Sequence, residues 1–198
     1  MGMLMERSLS TPGEHAAFTG DDVRLLYLEH APALRLTLAR LAGTTLDPDD
    51  LLQEVFVVAM RKSADLGRAD SRKAWLCGVA VKVATTRRRT ARLLTFLGIK
   101  DADHFASPES PLRTLEQRDA SVRVQRVLAA LSEAKRTVFV LYEQQGFSGE
   151  EIAQALSIPL KTVWTRLFHA RREFEKELER HELIEARRTG LNDGGLNG

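Results

Sequence analysis

Apolar positions recur three and four residues apart through most of the chain, the spacing of amphipathic helices. From Asp21, the residues Val23, Leu26, Leu34, Leu38 and Leu41 keep this rhythm, and Gly43 marks a stop. Pro32 falls inside that pattern and is expected to kink or split the helix. A second helix has a marked start: Asp47 as N-cap, Pro48 at the first helical position and Asp50 in the first turn. Leu51, Leu52, Val55, Phe56, Val58 and Ala59 form its wide apolar face, and Arg61 and Lys62 close it. Residues 64–70 read as a loop. Ser71 opens a long third helix through Trp75, Val79 and Val83 into Arg87, Arg88 and Arg89. The rhythm returns at Val124, Val127, Leu128 and Leu131. Residues 133–145 form a helix with Val138, Leu141 and Tyr142 inward, ended by Gly146. Two more are expected over 148–156 and 160–183. No segment shows convincing strand alternation, so the pattern predicts an all-α protein.

Between the two helical groups, residues 93–119 change character. They hold Asp101, Asp103, Glu109, Glu116 and Asp119 against Lys100, Arg113 and Arg118, with Gly98, Pro108 and Pro111. This reads as a flexible acidic linker. The expected organisation is a disordered tail (1–20), a helical domain (21–92), the linker (93–119), a second helical domain (120–183) and a disordered Gly/Asn-rich tail (184–198).

The string Ser148-Gly149-Glu150-Glu151 is a capping box, with Ile152, Ala153 and Leu156 behind it. Ser157-Ile158-Pro159 gives a short turn and a new helix follows at once, which is helix-turn-helix spacing. At 100° per residue Val163, Leu167, Ala170 and Phe174 share one face and should pack inward. Lys161, Thr165, Phe168, His169 and Arg172 share the other, with Trp164 and Arg171 on a flank. From residue 161 to 172 there are four Lys/Arg and no acid, whereas a solvated face normally mixes signs. A DNA major groove accepts such a helix. Trp164 has two readings, a core anchor or a DNA-facing ring.

Composition narrows the classes. The chain has 198 residues, 43% of them hydrophobic, which supports buried cores. Its 29 Lys/Arg against 27 Asp/Glu leave a net charge of only +2, so a nucleic-acid surface has to be local. One such segment is 82–92, with five Lys/Arg and no acid; alone it also reads as a solvated helix end. The single cysteine, Cys77, allows no internal disulfide and no thiolate metal cage, and reads as a buried small apolar residue. No apolar run approaches a membrane span and the start lacks a secretory signal pattern, so a cytoplasmic protein is expected. The histidines 15, 30, 104, 169 and 181 are dispersed without ligand spacing, and adjacent carboxylates such as Asp49-Asp50 point different ways. Neither a catalytic group, a metal site nor a cofactor is expected.

From about Asp21 to Leu178 the chain resembles the extracytoplasmic-function sigma factors of the sigma-70 family. The resemblance rests on Asp47-Pro48-Asp49-Asp50-Leu51-Leu52-Gln53-Glu54-Val55-Phe56, Lys73-Ala74-Trp75-Leu76, the arginines 87–89, and Phe147-Ser148-Gly149-Glu150-Glu151-Ile152-Ala153 with Thr162-Val163 and Arg166-Leu167 after it. It implies a factor that binds core RNA polymerase and directs it to promoter DNA, with an anti-sigma factor as a frequent partner in the family. Asp49, Asp50, Gln53 and Glu54 align with the family's polymerase-binding helix. The resemblance assigns DNA contact to Lys82, Arg87, Arg88 and Arg89 in the minus-ten domain. In the minus-thirty-five domain it assigns contact to Lys161, Thr162, Trp164, Thr165, Phe168, His169, Arg171 and Arg172. Departures are Lys82 where the family usually has Asn, Thr85-Thr86 for its polar pair, Ser157 for a turn glycine, Trp164 for Lys or Arg, and His169 for Arg. They point to an unusual promoter sequence. A helix-turn-helix regulator without polymerase binding is the alternative, and it has no need of the string around Gln53. A sigma mimic that binds only protein would lack the basic surfaces.

Overall fold

The computed structural model describes residues 19–43, 46–99 and 115–193. Among these the secondary structure is helical, without strands. The first lobe holds α1 (Gly20–Ala42), α2 (Pro48–Arg61), the short α3 (Ser63–Gly67) and α4 (Arg72–Phe96). The second holds α5 (Leu115–Ala130), α6 (Glu133–Phe139) running into a π-helical turn (Val140–Gln144), α7 (Gly149–Leu156) and α8 (Leu160–Asp193).

Local chemistry explains the helix starts. Thr19 and Asp22 form a reciprocal capping box on α1, and their hydrogen bonds hold the Asp22 carboxyl below its ordinary value. The Asp47 carboxylate accepts from the Asp49 N–H with Pro48 in the first turn, and Ser71 caps α4 through the Ala74 N–H. The Ser148–Glu151 capping box forms as expected, with both hydrogen bonds present.

Some elements differ from their sequence expectation. Helix α1 runs unbroken through Pro32. Pro32 is exposed, so the Leu28 carbonyl that loses its helical partner lies on the solvent side. The loop expected at 64–70 contains α3, fixed by the fully buried Leu66. Residues 93–96 belong to α4 and 115–119 to α5, so the expected linker is shorter at both ends. Helix α8 continues to Asp193, beyond the expected end at 183, and Glu185 on its extension pairs with Arg123 of α5 at 3.2 Å. The tail expected over 1–20 lies outside the described residues up to 18, as do residues 100–114 of the linker and residues 194–198 of the C-terminal tail.

Helices α1, α2 and α4 pack around Leu34, Leu38, Val55, Leu76 and Ala80. Helices α6, α7 and α8 pack around Val138, Leu141, Ile152, Val163 and Leu167. The α5–α6 turn is held by Arg136, buried beneath the end of α5. Its guanidinium donates to the carbonyls of Leu128 (2.7 Å), Ala129 (3.1 Å) and Leu131 (3.0 Å), at and just past the end of α5, where the helix itself supplies few donors. Burial lowers its pKa to about 10.

The two lobes dock on each other. Buried residues of both form one continuous apolar cluster, with α4 against α7 and α1 against the π-helical turn and α6. Polar contacts line the seam. Lys73 donates to the Gln145 carbonyl (3.1 Å), Gln154 to Asp70 (3.3 Å), and Gln125 to the Ala39 carbonyl (2.9 Å).

Candidate polymerase and nucleic-acid interface

The first turns of α2 bring the four expected polymerase contacts onto one helix, in two different settings. Asp49 is gripped by Arg35 through paired bonds of 2.6 and 2.9 Å, which also raise the Arg35 pKa. Glu54 pairs with Arg87 of α4 at 2.7 Å. Asp50 and Gln53 are exposed. Asp49 and Glu54 therefore hold the first lobe's own cations, while Asp50 and Gln53 present polar groups outward.

The arginine run of α4 fans out, because successive helix positions lie 100° apart. Arg87 turns to Glu54. Arg88 is half-buried and donates to the Leu41 carbonyl at the end of α1 (3.1 Å), and burial lowers its pKa. Arg89 is exposed and reaches Glu133 of the second lobe at 3.4 Å. Lys82 is exposed on the wall of an interlobe cleft of about 430 Å³, whose lining includes Trp75, Gln154 and Ser157.

The helix-turn-helix has the expected inward face. Val163, Leu167 and Ala170 are buried and Phe174 stacks on Phe139 at 4.7 Å. Ser157 ends α7 in the left-handed conformation (φ 53°, ψ 48°), where a glycine would carry no steric cost. Lys161, Thr165, Phe168, His169, Arg171 and Arg172 are all exposed, and Thr162 is half-buried. The Thr165 hydroxyl donates back to the Lys161 carbonyl (2.9 Å).

Trp164 combines its two readings. It is 43% exposed, yet its ring lies edge-on to Tyr142 at 5.7 Å and against Gly149, where a Cβ would come within 2.5 Å of the indole. Arg171 is held by Glu143 (2.6 Å) and lies over the Tyr142 ring at 5.3 Å; the bond to Glu143 raises its pKa. Tyr142 and Glu143 both come from the π-helical turn. Sequence reading placed Tyr142 inward but gave it no part beside Trp164, and did not single out Glu143, because periodicity assigned 133–145 to one regular helix. It also missed Arg35, which meets Asp49 only once α1 and α2 are packed.

Similarity to known proteins gives the family. Residues 26–93 match the family described as Sigma-70 region 2, and residues 121–174 match Sigma-70, region 4. The RNA polymerase sigma-H factor of Pseudomonas aeruginosa is 28% identical, over 78% of this chain and 85% of its own. The ECF RNA polymerase sigma factor SigL of Mycobacterium tuberculosis is 30% identical, over 79% of this chain and 89% of its own. The fold is shared with the sigma factor RpoE of Bartonella quintana, solved in complex with the anti-sigma factor NepR (TM-score 0.65, 22% identity, 80% of this chain and 98% of that one). The chain belongs to the extracytoplasmic-function branch of the sigma-70 family: it is a sigma factor that binds core RNA polymerase and directs promoter-specific initiation.

Proposed function

We propose that this sigma factor divides its contacts as follows. The outward groups of α2, Asp50 and Gln53, meet core polymerase, with Asp49 and Glu54 shaping that surface through Arg35 and Arg87. Lys82 and the exposed arginines Arg87 and Arg89 of α4 meet minus-ten DNA. The outer face of α8 enters the major groove of the minus-thirty-five element, with Lys161, Arg171 and Arg172 on phosphates and Thr165, Phe168 and His169 toward base edges. Thr162 and Trp164 flank that face. The observation that carries this reading is the exposed, acid-free stretch of α8 from Lys161 to Arg172, set on a helix-turn-helix. The protein acts in the cytoplasm at the nucleoid and supplies no catalytic group. An anti-sigma factor is a further proposed partner, supported by the NepR complex of its fold neighbour.

Footprinting of the reconstituted holoenzyme on a promoter tests the division. Lys161→Ala with Arg172→Ala should erase protection of the upstream element and leave core binding intact. Gln53→Ala should weaken assembly with core polymerase, read by co-purification with core, before any DNA is added. Unchanged upstream protection in the first variant would remove α8 from the interface.

A further inference from the structure

The exposed positions of α2 before its last residue fall on one stripe: Asp50, Gln53, Val57 and Met60, three and four residues apart. The first half of the stripe is polar. The second half is apolar, with Val57 45% and Met60 60% exposed. Tyr27 of α1 borders that apolar half. It is 43% exposed, and its ring lies edge-on at 4.9 Å to Phe56, which stands one turn before Met60 on α2. An apolar patch continuous with Asp50 and Gln53 has the make-up of an interface centre, where tyrosine and methionine are enriched.

Met60 is also the one methionine among the described residues, and it stands in solvent in the free factor. The chain's other sulfur is Cys77, which is 2% exposed inside α4 and shielded from reagents. A small oxidant therefore reaches the thioether of Met60 and leaves the thiol intact.

We propose that Met60 is a modification site: peroxide converts it to the sulfoxide, and the modified factor loses its grip on core polymerase. The proposal rests on the reading of α2 as the polymerase-binding helix. In the reaction the thioether sulfur attacks hydrogen peroxide and the O–O bond breaks. One oxygen stays on sulfur as S=O, the sulfur gives up two electrons, and the other oxygen leaves as water. The product sets a polar oxygen where core polymerase has to cover an apolar side chain. Core polymerase that already covers Met60 also shields it, so the modification acts on the free factor and spares assembled holoenzyme.

The full-length factor is treated with hydrogen peroxide, freed of it, and titrated with untreated core polymerase, with the sulfoxide located by peptide mass spectrometry. Oxidation at Met60 should weaken core binding about tenfold, the scale of one interface side chain lost. The melting temperature should stay the same, because Met60 lies outside the core. Methionine sulfoxide reductases should restore binding. Met60→Leu, whatever its starting affinity, should show no further loss after peroxide. An equal loss in Met60→Leu would assign the effect to Met1, Met3 or Met5 and overturn the proposal, as would a lowered melting temperature, which means unfolding. Gln53→Ala separates the two readings. If it weakens core binding while Met60 oxidation is neutral, the proposal falls and the α2 reading stands. If Gln53→Ala and Met60 oxidation are both neutral, the α2 reading falls and takes the proposal with it.

Discussion

Gly78 of α4 and Ala155 of α7 meet so closely that a Cβ on Gly78 would stand 2.8 Å from the Ala155 carbonyl oxygen. Glycine inside a helix costs about 1 kcal/mol relative to alanine, and here it permits the two lobes to touch backbone to side-chain-free backbone. The opposing atom is a main-chain oxygen, which cannot rotate away as a side-chain tip can. Gly78→Val should therefore separate the lobes while leaving each helical. Small-angle scattering should show a larger radius of gyration with an unchanged far-ultraviolet spectrum. An unchanged radius would mean that the seam tolerates the extra bulk.

The same seam bears on promoter contact. Lys82 lies one turn along α4 from Gly78 and shares the interlobe cleft with Gln154 and Ser157 of the helix-turn-helix. Separating the lobes widens access to Lys82, so a Gly78→Val holoenzyme should bind minus-ten DNA at least as well as the parent. A gel-shift titration on a duplex with an open minus-ten region checks this, and weaker binding would place the DNA path across the closed seam.

The helix starts were legible in sequence because caps are local: Asp47 with Pro48 and Ser148 with Glu151 act within four residues. So was the inward face of α8, since one helix period decides it. The seam was not, because nothing local marks Gly78 as a contact point rather than a weak helix position. The π-helical turn was hidden for a related reason. Tyr142 and Glu143 of that turn meet Trp164 and Arg171 of α8, partners on another element that the apolar rhythm of 133–145 does not reveal. The arginine run read as one basic patch, and its division among Glu54, the Leu41 carbonyl and Glu133 depends on which elements surround α4.

That division predicts different failures for neighbouring arginines. Arg88→Ala removes a half-buried charged donor from the Leu41 carbonyl, a loss of about 1.5–3 kcal/mol. The melting temperature should fall by several degrees. Arg89→Ala leaves stability nearly unchanged, because exposed pairs such as Arg89–Glu133 contribute little. Its effect should appear in promoter binding, where one lost phosphate contact lowers the salt slope by about 0.7–0.9. Calorimetry and salt titration of the two variants separate the roles, and a stable Arg88→Ala protein would contradict the assignment.

Cys77 supplies a pH-dependent prediction. It is 2% exposed, and burial pushes its thiol up to about 12 from an ordinary value of 9.0. Above pH 9.0 the unfolded chain loses this proton while the folded chain keeps it. The thiol's contribution to stability is thus whole below pH 9.0 and declines as pH rises toward 12. At pH 8 the native protein should resist alkylation by iodoacetamide, with modification tracking unfolding in denaturant. Rapid labelling of the native protein would show that α4 opens locally around Cys77.

Gly149 and Trp164 give the sharpest stability test. Gly149 lies in the first turn of α7, and its backbone has no positive φ, so alanine is conformationally permitted. On propensity alone Gly149→Ala should stabilise the helix by up to about 1 kcal/mol. The added methyl would, however, meet the Trp164 ring at 2.5 and 2.9 Å. An indole is rigid, so relief requires the whole ring to leave its place beside Tyr142, and overpacking of this kind costs about 1–3 kcal/mol. The clash should win, and Gly149→Ala should lower the melting temperature. Trp164→Ala alone should also destabilise, through lost packing on Tyr142 and Gly149. In the double variant the clash is gone and the helix gain remains, so Gly149→Ala should become neutral or stabilising once Trp164 is alanine. A double-mutant cycle measured by thermal unfolding reads this coupling directly. Additive effects would mean that the indole does not rest on Gly149, and Trp164 would then be free to face DNA.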